Sequence, residues 1–233
     1  MHGQVEYVEV ARAESPRGEV VLRERHDPEA WPNASAVLEL RVNGVFVMDT
    51  VETSSEKGLA TVALKQVEHP RSVLVGGLGL GFTVHEVLSD PRVERVSVVE
   101  IEDALVGWMR DGTVPHGPAY LADERLNVVV ADIRTAMAEA TPEAYDLVLL
   151  DVDNGPGFLV HDGNAEVYQR DFLEQAAAAV RPGGALVVWS SAESPPLQRE
   201  MHEVFGNAVA VPYDVALQSR DEQYWVYLSR RRA

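Results

Sequence analysis

The sequence predicts an α/β protein built on a doubly wound, mostly parallel sheet, with a small β-rich region at the N-terminus. From residue 71 onward, apolar strand candidates alternate with helix candidates. Candidates such as Leu147–Leu150 are apolar at every position, which is typical of parallel strands buried on both faces. The preceding residues are rich in Val and contain a hairpin signal. We therefore divide the chain into an N-terminal region of strands plus a connecting helix, residues 1–66, and a main domain, residues 67–233.

The N-terminal region begins with two Val-rich strand candidates, Val5–Val10 and Glu19–Arg23. A hairpin follows, in which Leu38–Val42 and Val45–Val47 flank an Asn-Gly pair at 43–44. Asn and Gly both tolerate positive φ, and a type I′ turn requires two such residues. This turn is the strongest local signal in the N-terminal region.

A helix is predicted next, because Thr53-Ser54-Ser55-Glu56 has the spacing of a capping box, and this helix should run to about Gln66. The strand candidates of the main domain are Ser72–Val75, Arg95–Val99, Asn127–Val130, Asp146–Leu150, Ala185–Trp189, a strand to Val211, and Tyr224–Leu228. Its helix candidates are Thr83–Leu88, Asp103–Arg110, Ile133–Ala140, Val167–Val180 and Leu197–Phe205. The Arg-Pro-Gly-Gly sequence at 181–184 predicts the end of the fourth of these helices.

Composition excludes several classes of function. The chain has no cysteine, so disulfides, Cys-based zinc sites and thiol nucleophiles are excluded. Its net charge of −17 repels phosphate backbones and anionic lipid, and it attracts cations. No apolar run approaches the ~20 residues of a membrane span, and the first residues lack the pattern of a signal peptide. We expect a cytoplasmic protein that binds neither nucleic acid nor membranes.

A glycine-rich turn follows the first strand of the main domain. Gly77, Gly79 and Gly81 form a G-x-G-x-G pattern, whereas the dinucleotide pattern G-x-G-x-x-G would need glycine at Phe82. The shorter pattern is typical of sites for nucleosides without a pyrophosphate, as in S-adenosylmethionine enzymes. A tight strand-to-helix turn without a ligand is the alternative.

Carboxylates end the next three strand candidates. Glu100 lies 19 positions after Gly81, where an acid can accept both ribose hydroxyls. Asp132 could accept the adenine amino group with Ile133 against the ring, or it could be a helix N-cap. Asp151 ends the strand after that. The carboxyl ends of strands in one sheet converge on one crevice, so these acids predict a nucleoside site in residues 67–233.

These residues resemble the spermidine synthase-like family, which has the fold of class I S-adenosylmethionine-dependent methyltransferases with a seven-stranded sheet. The resemblance rests on the Asn43-Gly44 hairpin, the glycine loop, Val99-Glu100-Ile101-Glu102, Ala131-Asp132, Tyr145-Asp146, Asp151, Phe172, Pro182-Gly183-Gly184 and Tyr224–Ser229. It implies that Glu100 holds the ribose, that Asp132 and Ile133 hold the adenine, and that Asp151 lies beside the reacting amine. It also implies a homodimer formed through the N-terminal strands.

The departures from the family pattern fall on the substrate side. Leu80 stands where aminopropyltransferases have the Asp that holds the aminopropyl amine, and Val47 replaces their glutamine. Further differences lie at Glu56-Lys57-Gly58, Asn154 and Ala216–Arg220. An acid at position 80 would repel the carboxylate of intact S-adenosylmethionine. Leu80 therefore favours the intact donor over its decarboxylated form.

Asp151 is the candidate catalytic base, since a carboxylate beside an amine can accept its proton. Asp153 and Glu56 are candidate cation binders, with a turn-forming acid and the capping box as their alternatives. Tyr168 and Trp225 could form the wall of a cation-binding pocket, although core packing is favoured for Trp225. The histidines have no metal-ligand spacing, so we propose no metal.

The sequence thus predicts an S-adenosylmethionine-dependent enzyme that methylates a small cationic acceptor. Two alternatives stay open. One is an aminopropyltransferase that uses decarboxylated S-adenosylmethionine and a diamine. The other is a nucleoside-binding or assembly protein without catalysis.

Overall fold

The computed structural model describes residues 5–26, 36–217 and 220–233. Its N-terminal part is an antiparallel sheet of four strands in the order β1-β2-β3-β4. These strands are β1 Glu6–Ser15, β2 Gly18–His26, β3 Val37–Val42 and β4 Val45–Asp49. Asn43 and Gly44 have φ angles of 51° and 75°. Both values are positive, so the predicted type I′ turn between β3 and β4 is confirmed.

The main sheet has seven strands in the order β10-β11-β9-β8-β5-β6-β7. The strands from β5 to β9 run parallel, while β11 and β10 are antiparallel additions at one edge. They are β5 Ser72–Gly76, β6 Arg95–Glu100, β7 Leu126–Val130, β8 Tyr145–Leu150, β9 Val180–Ser190, β10 Val209–Leu217 and β11 Arg220–Arg230. The predicted fold class, a doubly wound, mostly parallel seven-stranded sheet with a β-rich N-terminal region, is confirmed.

Helices cover both faces of this sheet. They are α1 Ser54–Gln66, α2 Phe82–Leu88, α3 Asp103–Asp111, α4 Gly117–Leu121, α5 Ile133–Ala138, α6 Arg170–Ala179 and α7 Pro195–Phe205. Apolar side chains of α1, α2 and α3 pack on one face, together with those of the N-terminal sheet. Those of α5, α6 and α7 pack on the other face. None of the helices in the described residues is both long and apolar enough to cross a membrane.

The structure differs from the sequence-based expectations in a few elements. Helix α4 was not predicted, and a 3₁₀ helix at Asp162–Tyr168 precedes α6, which therefore starts later than expected. The Arg-Pro-Gly-Gly sequence at 181–184 follows the end of α6 and belongs to the first part of β9. Residues 218 and 219 of the Ala216–Arg220 segment lie outside the described residues. The division of the chain after residue 66 stays a prediction.

The capping-box interpretation of Glu56 is wrong. Thr53 is the N-cap of α1, but its side chain makes no capping hydrogen bond. The Glu56 carboxylate instead accepts a hydrogen bond from Ser55 Oγ at 2.8 Å, and the residue is only 7% exposed. The helix therefore begins without the expected side-chain bonds, and Glu56 is available for another role.

Gly77, at the end of β5, is a position that only glycine fits. Its φ is +90°, and a Cβ atom there would lie 1.9 Å from the carbonyl oxygen of Asp151. The peptide group is fixed by a hydrogen bond from Gly77 N to Val99 O at 2.8 Å. The backbones of β5, β6 and β8 therefore meet at this residue.

We expect Gly77→Ala to lower the melting temperature by several degrees, because the substitution combines backbone strain with a backbone clash. Thermal unfolding followed by circular dichroism measures the effect. Gly157→Ala is the matched control, since a Cβ atom at Gly157 would meet nothing within 4 Å. Equal melting temperatures for the two variants would contradict the packing described here.

Candidate active site

A deep pocket lies at the carboxyl ends of the parallel strands. Its empty space amounts to about 1120 Å³, a figure that includes the open mouth of the pocket. One wall consists of the ends of β5, β6, β7 and β8, and the opposite wall comes from the N-terminal sheet. That second wall is apolar and consists of Val20, Leu40, Val42, Val47 and Met48.

The glycine loop contributes two of its three predicted residues to the pocket. Gly77 and Gly79 line it, whereas Gly81 is the N-cap of α2 and faces Met109 and Tyr120 behind the loop. Gly81 is therefore needed for packing. Leu80 is fully buried and does not line the pocket either. The Leu80 position thus adds neither an acid nor an apolar side chain to the pocket wall.

Glu100, at the end of β6, is held by backbone donors. One carboxylate oxygen accepts from Leu78 N and the other from Glu102 N, both at 2.8 Å. Burial raises the pKa of Glu100, and the two N–H bonds oppose that shift. Since the first bond comes from the glycine loop, Glu100 fixes the loop and also presents a carboxylate to the pocket.

Asp132 and Ile133, which follow β7, both line the pocket. Asp132 is the N-cap of α5 and accepts from Arg134 N at 2.8 Å. The Arg134 guanidinium also bonds this carboxylate, and these bonds hold the pKa of Asp132 below its usual range. Asp132 therefore caps the N-terminus of α5, which was the alternative interpretation of this residue. A role with adenine, which stays a prediction, would be additional to it.

Two carboxylates lie together at the centre of the pocket. Asp151 accepts a hydrogen bond from Thr83 Oγ1 at 2.9 Å, and the same hydroxyl lies 3.3 Å from the carbonyl oxygen of Glu56. Burial raises the pKa of Asp151 to about 6. Burial and the charge of Asp151 raise the pKa of Glu56 to about 8. At neutral pH, Asp151 is ionised and Glu56 is protonated.

No basic side chain among the described residues pairs with either carboxylate. The lining residues of the described chain include six carboxylates, at Glu56, Glu100, Glu102, Asp132, Asp151 and Asp153, and one arginine. That residue, Arg17, bonds Glu102 Oε1 at 2.9 Å and the Ile101 carbonyl at 2.8 Å. The pocket is therefore strongly electronegative and favours a cationic ligand.

Asp153 has a different environment. One of its oxygens accepts from Asn154 N at 2.6 Å and Val160 N at 2.8 Å, and the other accepts from Asn164 Nδ2 at 2.6 Å. These bonds shape the loop after β8. The structure therefore favours the turn-forming alternative over cation binding for this residue.

Tyr168 and Trp225 do not line this pocket. Both pack with the hydrophobic cluster on the opposite face of the sheet. Side chains alternate along a strand, so Trp225 points away from the face that its neighbour Tyr224 occupies. The prediction that Tyr168 and Trp225 form its wall is corrected accordingly, and for Trp225 the core packing that the sequence favoured is the one observed.

Trp189 and Arg17 are among the lining residues that sequence reasoning did not assign to the site. Trp189 lies on β9 and packs edge-to-face against Tyr224, with ring centroids 5.0 Å apart. From the sequence, Ala185–Trp189 is only a strand candidate, and the apolar residues 185–189 do not single out Trp189 as part of a site. Its position near the carboxyl end of a strand was the available signal. Arg17 lies in the turn between β1 and β2, and nothing in the sequence linked that turn to β6.

In the described chain, no group of three or more acidic or histidine residues could hold a metal ion.

The sequence of the chain is similar to those of known proteins. The profile described as "Spermine/spermidine synthase domain" matches residues 52–211. Putrescine N-methyltransferase 2 from Nicotiana tabacum is 35% identical over 133 residues, which are 56% of this chain and 35% of that protein. Polyamine aminopropyltransferase 2 from Pseudomonas aeruginosa is 30% identical over 169 residues, which are 68% of this chain and 46% of that protein. The matched region thus spans less than half the length of these relatives.

Solved structures show the same fold. A spermidine synthase in complex with the transition state analogue AdoDATO matches 95% of this chain and 73% of its own, with a TM-score of 0.77 and 17% identity. The spermidine synthase from Thermotoga maritima gives a TM-score of 0.75 at 15% identity, covering 95% of this chain and 72% of its own. The profile match extends over more than half of the chain and includes the glycine loop and the acids that follow β6, β7 and β8. The chain therefore belongs to the spermine/spermidine synthase family.

Proposed function

We propose that this protein transfers the methyl group of S-adenosylmethionine to a small cationic amine. The observation that carries the proposal is the pair of buried carboxylates, Asp151 and Glu56, in a pocket whose lining, in the described part of the chain, holds a single arginine. A cationic donor and a cationic acceptor both suit such a site. Relatives named as a putrescine N-methyltransferase and a polyamine aminopropyltransferase support this general chemistry.

The nucleoside half of the donor is assigned to the strand ends β5, β6 and β7. Gly77 and Gly79 let the ligand approach the backbone, and Glu100 would accept the ribose hydroxyls. Ile133 is buried at the pocket wall and would pack against the adenine. These residues are of the types and in the positions that a nucleoside requires.

The donor supplies an electrophilic methyl carbon on a sulfonium, so the protein has only to position the acceptor and remove a proton. Asp151 would bind the acceptor ammonium and take one proton from its nitrogen. The free nitrogen lone pair then forms the N–C bond as the S–C bond breaks. With a pKa of about 6, Asp151 is a base near neutral pH.

The intact donor is favoured because Leu80 stands where the aminopropyltransferases have an acid, and this position adds no carboxylate to the pocket. One observation favours the second candidate, aminopropyl transfer from decarboxylated S-adenosylmethionine. Glu56 and Asp151 could together hold the amine of that donor, in place of the acid missing at position 80. The experiments below also distinguish both transferases from a binding protein without catalysis.

Calorimetric titration with S-adenosylmethionine, its decarboxylated form and methylthioadenosine tests the choice of donor. We expect S-adenosylmethionine to bind more tightly than the decarboxylated form. We expect Glu100→Gln to weaken its binding by roughly 10- to 150-fold, because a hydrogen bond to a charged group is worth about 1.5–3 kcal/mol. Tighter binding of the decarboxylated donor would favour aminopropyl transfer. Absence of binding by all three would favour a protein that does not use these nucleosides.

Turnover tests the role of Asp151. We expect Asp151→Asn to retain donor binding and to lower methyl transfer by on the order of 10²-fold or more, the usual scale for loss of a general base. Wild-type turnover should rise between pH 5 and pH 7 as Asp151 loses its proton, and this rise should vanish in the variant. Radiolabelled methyl transfer to a panel of primary amines, putrescine included, measures both effects.

Asp153→Asn is the control for this variant, because all the described bonds of Asp153 are to residues 154–164, in the segment that follows β8. It should lower the melting temperature more than it lowers turnover. The base assignment would fail if Asp151→Asn kept near-normal turnover with a lowered melting temperature.

We also propose that the chain forms a homodimer in the cytoplasm through its N-terminal strands. Strand β1 is an edge strand, and three of its apolar residues, Tyr7, Val8 and Val10, are exposed. Val5, which directly precedes the strand, is exposed as well. Exposed apolar edge strands pair readily with other strands. Light scattering at micromolar concentration should give twice the chain mass, and Val8→Lys should reduce it to the chain mass. A monomeric wild-type protein would contradict the assignment.

A further inference from the structure

Asp151 has a fixed backbone, and one hydrogen bond orients its side chain. Its N–H donates to Gly76 O at 2.8 Å, at the point where β8 ends. Within the described residues, Thr83 Oγ1 is the only group that donates to the carboxylate, and it donates to Oδ2 at 2.9 Å. Asp151 keeps part of its surface open to the pocket. The second oxygen, Oδ1, is therefore the one that a ligand can use.

Thr83 reaches Asp151 from behind the wall of the pocket. It is the second residue of α2, it is 3% exposed, and it does not line the pocket. A β-branched side chain in a helix has few rotamers, so the direction of this hydroxyl is well defined. Thr83 is therefore placed to act on a reaction through Asp151 and not through a contact with substrate.

The Thr83 hydroxyl has two acceptors within reach and one hydrogen to donate. Asp151 Oδ2 is 2.9 Å away, and the carbonyl oxygen of Glu56 is 3.3 Å away. A charged acceptor makes the stronger bond, so the hydrogen points to Asp151 while the carboxylate is ionised. This preference is lost when Asp151 is protonated, and the Glu56 carbonyl can then receive the hydrogen. The contact therefore favours the form of Asp151 that acts as a base.

The other titratable groups around Asp151 oppose its ionisation. Burial raises the pKa of Asp151, the hydrogen bond from Thr83 lowers it, and the charge of Glu100 at the end of β6 raises it further. Burial and the charge of Asp151 raise the pKa of Glu56 on α1. Burial and nearby acids, Asp151 among them, raise the pKa of Tyr168. In the part of the chain that the structure describes, Thr83 is thus the group that keeps Asp151 usable as a base.

We propose that Thr83 is a positioning residue: its hydroxyl holds Oδ2 of Asp151 and thereby directs Oδ1 at the nitrogen of the acceptor. This inference rests on the proposed function, in which Asp151 takes a proton from that nitrogen. The proton passes from the nitrogen to Oδ1 while Oδ2 keeps its contact with Thr83. The nitrogen lone pair that is left then forms the N–C bond as the S–C bond of the donor breaks.

Three variants separate this role from packing. Thr83→Val nearly keeps the shape of the side chain and removes the hydroxyl, whereas Thr83→Ser keeps the hydroxyl. Thr61→Val is the matched control, because Thr61 Oγ1 lies 3.4 Å from Glu86 Oε1 and so also joins α1 to α2. Neither Thr61 nor Glu86 lines the pocket. An effect of helix packing alone should therefore appear in Thr61→Val as well.

The titration midpoint of the Asp151 carboxyl carbon in ¹³C NMR tests the contact without any need for turnover. Asp151→Asn identifies the signal by its loss. We expect a wild-type midpoint near pH 6, and Thr83→Val should raise it by about one pH unit, because a bond to the charged form is lost. Thr83→Ser and Thr61→Val should keep the wild-type midpoint.

Radiolabelled methyl transfer to putrescine and other primary amines tests the consequence for the reaction. We expect Thr83→Val to lower kcat at pH 8 by about 10-fold, because the carboxylate is then ionised but no longer directed at the acceptor. The acid limb of its pH profile should move upward together with the NMR midpoint. Calorimetry should show unchanged affinity for S-adenosylhomocysteine, since Thr83 does not line the pocket. Thr83→Ser should restore both kcat and the acid limb.

The outcomes separate this inference from the proposed function. If the wild-type protein transfers no methyl group to any of the amines, the proposed function fails and the positioning role fails with it. If transfer is found and the midpoint in Thr83→Val is unchanged, this inference alone fails. It also fails if Thr83→Ser or Thr61→Val loses as much turnover as Thr83→Val.

Discussion

Burial of carboxylates without a basic partner is the constraint on which the rest of this structure depends. Asp151 and Glu56 lie deep in the pocket, and no cation in the described chain neutralises them. Their elevated pKa values are the consequence. A site of this kind is completed by a cationic ligand, because a positive charge favours the ionised forms that the fold disfavours.

The same arrangement has a cost in stability that depends on pH. The pKa of Glu56 is about 8 in the fold against 4.5 in the unfolded chain, so between these values the folded state holds more protons. Stability from this residue is present below pH 4.5 and is lost as the pH rises toward 8. The backbone around the pair is held by the sheet. Strand β5 and residues 147–150 of β8 are buried, and Asp151 N donates a hydrogen bond to Gly76 O at 2.8 Å.

The sequence was sufficient for the sheet and for the strand-end residues that line the pocket. Buried strands, glycines and strand-end acids are local features, so Gly77, Glu100 and Asp132 could be placed from spacing. The rest of the pocket depends on contacts that spacing does not encode. Trp225 and Trp189 both lie in apolar stretches of their strands, and only the register of β11 against β9 tells which one faces the pocket. Glu56 had the capping-box spacing, yet its carboxylate points to the site. Arg17 reaches β6 from a turn 84 residues away from Ile101.

We propose that Asp151 and Glu56 together carry one negative charge and one proton at neutral pH. The pair releases this proton when a cationic ligand binds. Titration calorimetry with S-adenosylmethionine at pH 7, in two buffers of different protonation enthalpy, measures proton release directly. If the account is right, the observed enthalpies will differ between buffers by an amount that corresponds to about one proton released, and Glu56→Gln will remove this difference. Tight binding with the same enthalpy in both buffers would contradict it.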